Sequence, residues 1–460
     1  FFLFGARGGL PVAQLLRPTS GTRREAAMAG STHCIPPSPT MKPSAPPTRF
    51  PKNKVRILLL ENVHKRAIDM FHQEGFYVET ATALSKEELL DKLAGRNGHE
   101  AIHAIGVRSK TVLSAECFEL AKRLLCVGCY CIGTDNHDLP KAEQCGIPVF
   151  NAPFANTRSV AELVITEIIA LSRQLMDRSA ECHRGGWYKV SKGCCEVRGK
   201  TLGIVGYGHV GSQVSVLAES LGMRVVYHDV IPKMALGNAS QCGSMEEVLE
   251  QADYVTLHVP RLPSTKNLIG AAQLAAMKKG SYLINAARGE VVVVDDLAEA
   301  LRSGHLAGAA ADVFPSEPKK NGEELFESPL CGLPNVILTP HIGGSTEEAQ
   351  AAIGVEVASA MIKCINTGVT YGAVNFPQVD IMPRVGTHRL INCHRNVPGV
   401  LMKVNTALSQ AGCNIFAQQL TTSETVGYMV VDVDIFTSEE CMTIIKSLGE
   451  SIRSRILWAQ

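Results

Sequence analysis

A strand, a glycine-rich turn and a helix in unbroken succession set the strongest limit on what this chain can fold into. Residues 201–205 (Thr-Leu-Gly-Ile-Val) are short and apolar, as a strand covered on both faces must be. Gly206-Tyr207-Gly208-His209-Val210-Gly211 follows directly and opens an apolar helical stretch over 210–221. A second strand, 224–228, then ends at Asp229. An isolated G-x-G-x-x-G carries little weight, but in this strand–turn–helix–strand frame it predicts a dinucleotide site. Gly206 permits the tight turn, Gly208 lets backbone approach a pyrophosphate, and Gly211 lets helix and strand pack closely. The unpaired N–H groups that open the helix would meet the phosphates. Asp229 stands where a carboxylate can accept hydrogen bonds from the adenosine ribose and repel a 2′-phosphate, so the expected cofactor is NAD rather than NADP.

The same alternation runs through most of the chain. An apolar run at 55–60 reads as a doubly buried strand, followed by a helical pattern at 63–74 and strands near 76–79, 101–105, 124–127 and 148–150. A long helix is expected from about 158 to 178, a second βα series from 201 to about 338, and another helix over 345–366. The expected fold is therefore α/β, with two doubly wound parallel-sheet domains, the second interrupting the first. Their boundaries are placed at 54–155 with 340–370, and at 156–339. A proline-containing linker (371–385) leads to 386–460, whose strand–helix–strand–strand–helix–strand order is ferredoxin-like and too small to be the catalytic engine.

Residues 1–53 stand apart. Residues 1–54 hold 8 Lys/Arg against the single acid Glu25, and 9 of the 23 prolines. Such a segment cannot bury a core, and is expected to be disordered or foreign to the native chain, although its Arg-rich, acid-poor character also resembles a transit peptide. Elsewhere charge argues against a basic nucleic-acid or membrane-surface protein, since 45 Lys+Arg balance 44 Asp+Glu. No stretch approaches 18 consecutive apolar residues, so no span is expected. The 15 cysteines are scattered through apolar segments in a chain too long for a secreted disulfide scaffold, which points to reduced thiols and a cytoplasmic setting. Cys126, Cys129 and Cys131, and Cys194-Cys195, find no second cluster at zinc spacing, so no metal is expected.

Three further strand ends carry chemistry. Arg288 follows the apolar strand 282–284, Glu317 follows Asp312-Val313-Phe314-Pro315-Ser316, and His341 lies in Thr339-Pro340-His341-Ile342-Gly343-Gly344 after the strand 336–338. Ligands bind at the C-terminal ends of strands in open α/β sheets. Oxidation of a secondary alcohol needs a base for the hydroxyl proton and a cation for a substrate carboxylate, which an imidazole and a guanidinium supply. A carboxylate beside the imidazole would fix its tautomer and raise its pKa.

Gly206–Gly211, His258-Val259-Pro260, Asn285–Gly289, Asp312–Glu317 and Pro340–Gly344, in order, resemble the D-isomer-specific 2-hydroxyacid dehydrogenases. The resemblance implies catalytic roles for Arg288, Glu317 and His341. It also implies cofactor contacts at His209 and Val210 near the pyrophosphate, and at Ala286, Ala287, Asp312, Gly343 and Gly344 near the nicotinamide. Arg108, Ser109 and Asn156 match substrate-facing positions, with Lys110 and Lys189 as possible further donors to a phosphate. Trp187 stands in a Gly-flanked loop suited to a subunit contact. Arg261 departs from the family pattern and adds positive charge near the cleft mouth. The C-terminal module resembles an ACT domain, and His394, Asn396 and Asn414 match the pattern of serine-regulated relatives. The implied activity is NAD-dependent oxidation of 3-phospho-D-glycerate in a serine-inhibited homotetramer. Other 2-oxo acids (2-oxoglutarate, glyoxylate, hydroxypyruvate) and a non-catalytic NAD-sensing corepressor remain alternatives.

Overall fold

Alternating side chains of one buried strand must find two separate cores, and helices must cover both faces of the sheet. In the computed structural model, which describes residues 51–318, 322 and 326–458, β1 (Arg56–Leu60) does this: Ile57 and Leu59 join one hydrophobic cluster, Leu58 and Leu60 another. With β2 (Tyr77–Ala81), β3 (Ala104–Val107), β4 (Cys126–Cys129) and β5 (Val149–Phe150) it forms a parallel sheet of order β2-β1-β3-β4-β5. Helices α1 (Lys65–Gln73), α2 (Lys86–Ala94), α3 (Ala115–Leu120) and α4 (Leu139–Gln144) cover its faces. The basic, proline-rich segment lies outside the described residues up to position 50. Lys52–Lys54, assigned to or beside that segment from sequence, form a 3-10 turn on this domain, with Lys52 paired to Glu74 at 2.5 Å.

Two helices join this domain to the next. The single helix expected over 158–178 is instead α5 (Thr157–Ser172) and α6 (Leu175–His183), broken at Gln174, whose φ is +50°. Tertiary contacts impose the break: Cys195 N–H donates to the Ser172 carbonyl, and the Ser172 hydroxyl meets Tyr254 OH at 2.7 Å. The second sheet contains β6 (Thr201–Val205), β7 (Arg224–His228), β8 (Ser240–Gln241), β9 (Tyr254–Leu257), β10 (Ser281–Asn285), β11 (Leu306–Ala311) and β12 (Val336–Leu338). Its order is β12-β11-β10-β9-β6-β7-β8, parallel throughout, the doubly wound dinucleotide-binding topology with an added strand. Helices α7 (His209–Ser220), α8 (Met245–Gln251), α9 (Ala271–Ala276) and α10 (Val294–Arg302) accompany it. Because every strand runs the same way, the loops after β6, β7, β9, β10, β11 and β12 all emerge at one edge.

Helix α11 (Glu347–Thr367) then returns to the first sheet, where Val357 and Met361 press on β4 so closely that a Cβ on Gly128 would lie 2.3 Å from the Met361 sulfur. The last module has β13 (His388–Arg395), α12 (Val400–Gln410), β14 (Ile415–Thr422), β15 (Val426–Val433), α13 (Ser438–Ser447) and β16 (Ser451–Leu457), with antiparallel order β14-β15-β13-β16. Helices α12 and α13 cover one face of its sheet. The other face is packed against the first domain: Ile391, Cys393, Val426, Tyr428 and Val430 share a core with Phe71, Val357 and Met361. Arg455 donates to the Cys364 and Ile365 carbonyls at the end of α11, and Arg453 to the Ala121 and Leu124 carbonyls after α3. Two guanidinium groups of β16 thus tie the last module to backbone carbonyls of the neighbouring domain, the Cys364 carbonyl also accepting from Gly368 N–H and the Ala121 carbonyl from Leu124 N–H. The connecting stretch is pinned too: Thr370 and Val379 are fully buried, and Asn375 accepts from Val149 N–H at 2.8 Å.

Candidate active site

The glycine-rich turn has the shape its residues require. Gly206 takes φ +92°, and a Cβ there would lie 2.5 Å from the His258 carbonyl. A Cβ on Gly211 would lie 2.3 Å from the Gly206 carbonyl, so this contact of helix and strand accepts no side chain. Gly208 differs, because a Cβ there would meet nothing within 4 Å. Space is thus left where α7 begins without a side-chain cap and directs free N–H groups outward. Asp229 reaches back across the turn, accepting from Tyr207 N–H at 2.8 Å and Ile231 N–H at 2.9 Å. The donor set, open cradle and carboxylate fit a dinucleotide. His209 is exposed and stacks edge-on against Phe154 at 4.2 Å, whereas Val210 is half-buried against the core. Gly208→Ala is expected to keep its melting temperature and lose about tenfold or more in NADH affinity, since only the approach of a ligand is blocked. Fluorescence titration with NADH, beside a thermal melt, reads both.

The strand ends on the other side of the edge bring the three chemical groups together. His341 Nδ1 lies 2.9 Å from Glu317 Oε2, which leaves Nε2 for a reactant. The Glu317 carboxylate also accepts from Phe314 N–H at 3.1 Å. Partial burial alone would push this carboxyl up, but the His341 and Phe314 hydrogen bonds and the His341 and Arg288 charges outweigh it and hold it low. The hydrogen bond to Glu317 raises the His341 pKa, against partial burial and the nearby Arg288 charge. Arg288 leans across from β10, with Nη1 on the Ala287 carbonyl at 2.8 Å and Nη2 only 3.2 Å from where a Cβ on Gly133 would lie. Gly133 belongs to the first domain, so the guanidinium bridges the cleft between the two sheets.

His341 holds a left-handed conformation, φ +55°, uncommon for a residue with a side chain. Asp312 fixes it. Its backbone carbonyl accepts from His341 N–H, and its carboxylate accepts from Thr339 Oγ1, Ile342 N–H and Gly343 N–H at 2.6–2.8 Å. Asp312 is 1% exposed, so its carboxylate serves the loop and does not line the cleft as the family pattern implies. Behind it, burial pushes the Glu167 carboxyl up to about 8, with the Asp312 charge adding. Gly343 and Gly344 are gripped through their carbonyls by Ser159 and Gln350. A Cβ on Gly344 would touch Asn156 Nδ2, which places Asn156 beside the loop. Ala286 is half-buried, and Ala287 packs into the core with its N–H on Asn285 Oδ1.

Arg108 and Ser109 follow β3 on the first domain. Arg108 lines a cavity of about 570 Å³ with Asn62, His64, Ser345, Thr346 and Gln350, while Ser109 is exposed. Two residues without any local sequence signal shape this loop. Glu61 accepts from Lys110 N–H and Thr111 N–H at 3.0 and 2.7 Å, and Asn136 Nδ2 donates to the Arg108 and Thr111 carbonyls. Arg261 pairs with Glu290 at 2.7 Å, so the free positive charge expected at the cleft mouth is neutralised. Lys189 and Trp187 are exposed, Trp187 by 85%.

The sequence matches the model of the D-isomer specific 2-hydroxyacid dehydrogenase NAD binding domain over residues 165–343, and the AHAS small subunit-like ACT domain over 390–452. It is 51% identical over 414 residues to D-3-phosphoglycerate dehydrogenase of Dictyostelium discoideum, covering 90% of this chain and 100% of that one. It is 50% identical over 411 residues to D-3-phosphoglycerate dehydrogenase of Haemophilus influenzae, covering 88% of this chain and 98% of the other. The chain belongs to the D-isomer-specific 2-hydroxyacid dehydrogenase family. Among solved structures, the NAD-complexed D-isomer specific 2-hydroxyacid dehydrogenase of Lactobacillus delbrueckii ssp. bulgaricus superposes with TM-score 0.60 at 25% identity, covering 70% of this chain and 100% of that one. The α/β expectation and the NAD expectation both hold: this is an NAD-dependent oxidoreductase of that family, with an ACT domain at its C-terminal end. No helix among the described residues is long and apolar enough to cross a membrane.

Within the ACT domain the three expected regulatory residues are not gathered in one place. His394 is buried and packs its ring over Gly427, and Asn396 Nδ2 donates to the Ser423 carbonyl at 2.7 Å, both at the C-terminal end of β13. Asn414 precedes β14, where its N–H donates to Asp434 at 2.9 Å. Strands β13 and β14 both pair antiparallel to β15, so they run parallel to each other. Asn396 and Asn414 therefore sit at opposite ends of the sheet, roughly 26 Å apart for strands of 8 residues.

Proposed function

We propose that the chain oxidises 3-phospho-D-glycerate at C2 to 3-phosphohydroxypyruvate, with NAD as acceptor, as the first step of serine biosynthesis. The observation that carries this reading is the His341–Glu317 pair at 2.9 Å beside the bridging Arg288 guanidinium. The substrate is anionic at both ends, and the cleft has a cation for each. Arg288 takes the carboxylate and polarises the C2 oxygen; Arg108 and Ser109 take the phosphate. Asn156, beside Gly344, supplies a polar contact to the bound substrate. His341 offers Nε2 to the C2 hydroxyl, accepting its proton in oxidation and returning it in reduction. Glu317 orients the ring and stabilises the imidazolium that results. Asp312 acts as a positioning residue through the His341 loop. Gly206, Gly208, His209, Val210, Gly211 and Asp229 would hold the dinucleotide, with Ala286, Ala287, Gly343 and Gly344 toward its nicotinamide end. Bound there, the nicotinamide supplies the acceptor for the C2 hydride. The half-buried Asp229 carboxylate, next to the turn, supports NAD over NADP.

L-serine is the proposed regulator. Because Asn396 and Asn414 lie at opposite ends of one sheet, a shared site takes His394 and Asn396 from one module and Asn414 from a second copy. That pairing, with the exposed Trp187 as another contact, fits a homotetramer. The proposed location is cytoplasmic. An NADH-absorbance assay with phosphohydroxypyruvate, hydroxypyruvate, glyoxylate and 2-oxoglutarate, each with and without serine, tests the reading. Phosphohydroxypyruvate is expected to give the highest kcat/KM and to be the arm that serine suppresses. Equal use of an unphosphorylated acid would remove the phosphate role of Arg108, and indifference to serine would remove the regulatory site.

A further inference from the structure

Two thiols lie against each other where the chain leaves β4. In an extended backbone, residues two apart share a face, and Cys129 and Cys131 accordingly stand on one side of the chain leaving β4, with their sulfurs 3.3 Å apart. Both also lie over the Gly133 carbonyl, at 3.1 and 3.0 Å. The pair is asymmetric: Cys129 is fully buried, whereas Cys131 is half-buried. Contact with the Cys129 thiol, and then the Arg108 and Arg288 charges, lower the Cys131 pKa against burial and the Glu61 charge. Contact with Cys131 and burial push the Cys129 thiol up. A thiol in an electropositive, partly open setting is the reactive kind, and a buried neighbour in contact can resolve its oxidised form.

We propose that Cys131 and Cys129 are an oxidation site for hydroperoxides, which switches off substrate binding by closing a disulfide beside the two substrate cations. The Cys131 thiolate attacks the distal peroxide oxygen; the O–O bond breaks, a sulfenic acid forms on Cys131, and the other oxygen leaves as an alcohol or as water after taking a proton. The Cys129 sulfur then attacks the sulfenic sulfur; the S–S bond forms, the S–O bond breaks, and water leaves with the thiol proton. Two electrons pass from the two thiols to the peroxide, and a dithiol reductant returns them.

The consequence follows from what the thiols hold. Disulfide closure withdraws both donors from the Gly133 carbonyl, and Gly133 abuts Arg288. The same loop contains Asn136, whose amide fixes the Arg108 and Thr111 carbonyls. Oxidation therefore disturbs both anion contacts and leaves the glycine-rich turn alone. This effect on binding rests on the proposed roles of Arg108 and Arg288; the chemistry of the thiol pair does not.

The full-length protein, treated with hydrogen peroxide, is followed by mass spectrometry of the peptide carrying Cys129 and Cys131 and by phosphohydroxypyruvate reduction. The expected result is loss of two hydrogens from that peptide, a rise in KM of about tenfold with NADH affinity retained, and reversal of both by dithiothreitol. Cys131→Ser should abolish the mass change and the sensitivity of that variant's own rate. Cys129→Ser should instead trap a dimedone-reactive sulfenic acid on Cys131. Unchanged peptide mass, or a Cys131→Ser variant as sensitive as the parent, would overturn the oxidation site. A disulfide that forms without any change in KM would overturn the switch and leave the site standing, with the fault in the roles given to Arg108 and Arg288.

Discussion

Replacing His341 with Asn is expected to lower kcat by about 10²–10⁴, the range over which a positioned acid–base group acts. The side chain is exposed enough to reach a reactant, its Nδ1 is committed to Glu317, and Nε2 remains free. Asn accepts αL backbone geometry better than most residues, so the φ of +55° and the Asp312 hydrogen bonds to the loop should survive. NADH binding should therefore stay within a factor of two or so of the parent, because no group of the glycine-rich turn is touched. Steady-state kinetics beside a fluorescence titration separate the two effects. A rate near that of the parent would remove His341 from the chemistry.

Arg288→Ala should act differently. The guanidinium is proposed to meet the substrate carboxylate and the C2 oxygen, so its loss weakens binding and the transition state together. A charge-assisted, bidentate contact in a closed cleft is worth a few kcal/mol, so kcat/KM is expected to fall by about 10²–10³, shared between a higher KM and a lower kcat. Arg288→Lys should recover only part of this, since an ammonium reproduces the charge but not the planar fork. A variant with raised KM and unchanged kcat would assign Arg288 to substrate binding alone.

The parts of this arrangement readable from sequence are those fixed by local sterics or by the direction of a strand. Gly206, Gly208 and Gly211 announce themselves because each has a different backbone reason to lack a side chain. Arg288, Glu317 and His341 were legible together because each follows a parallel strand of one sheet, and such strands end on the same edge. What was not legible depends on distant partners. Nothing in a glutamine signals a break, yet Gln174 ends α5 because the 193–195 segment packs there. Glu61 holds the Lys110–Thr111 backbone from 49 residues away, across a strand crossover no pattern marks. Asp312 looks like a cleft residue by motif, but its hydrogen bonds turn it inward. The docking of the ACT sheet did leave a trace. Val426–Val433 are buried at every position, a continuous run like that of β1, whereas a sheet with one face in water would alternate.

The pH dependence of Glu317→Gln against the parent is the most direct test of the central pair. Reduction needs protonated His341, so its kcat/KM should fall as pH rises through the imidazole pKa. Oxidation needs the neutral ring and should rise through the same value. With Glu317 in place that value lies above the ordinary imidazole pKa. In Glu317→Gln both limbs are expected to move together to lower pH, the reductive rate suffering most near neutrality. Limbs that stay where the parent has them, or that move in opposite directions, would contradict an imidazole whose proton is governed by the carboxylate 2.9 Å away.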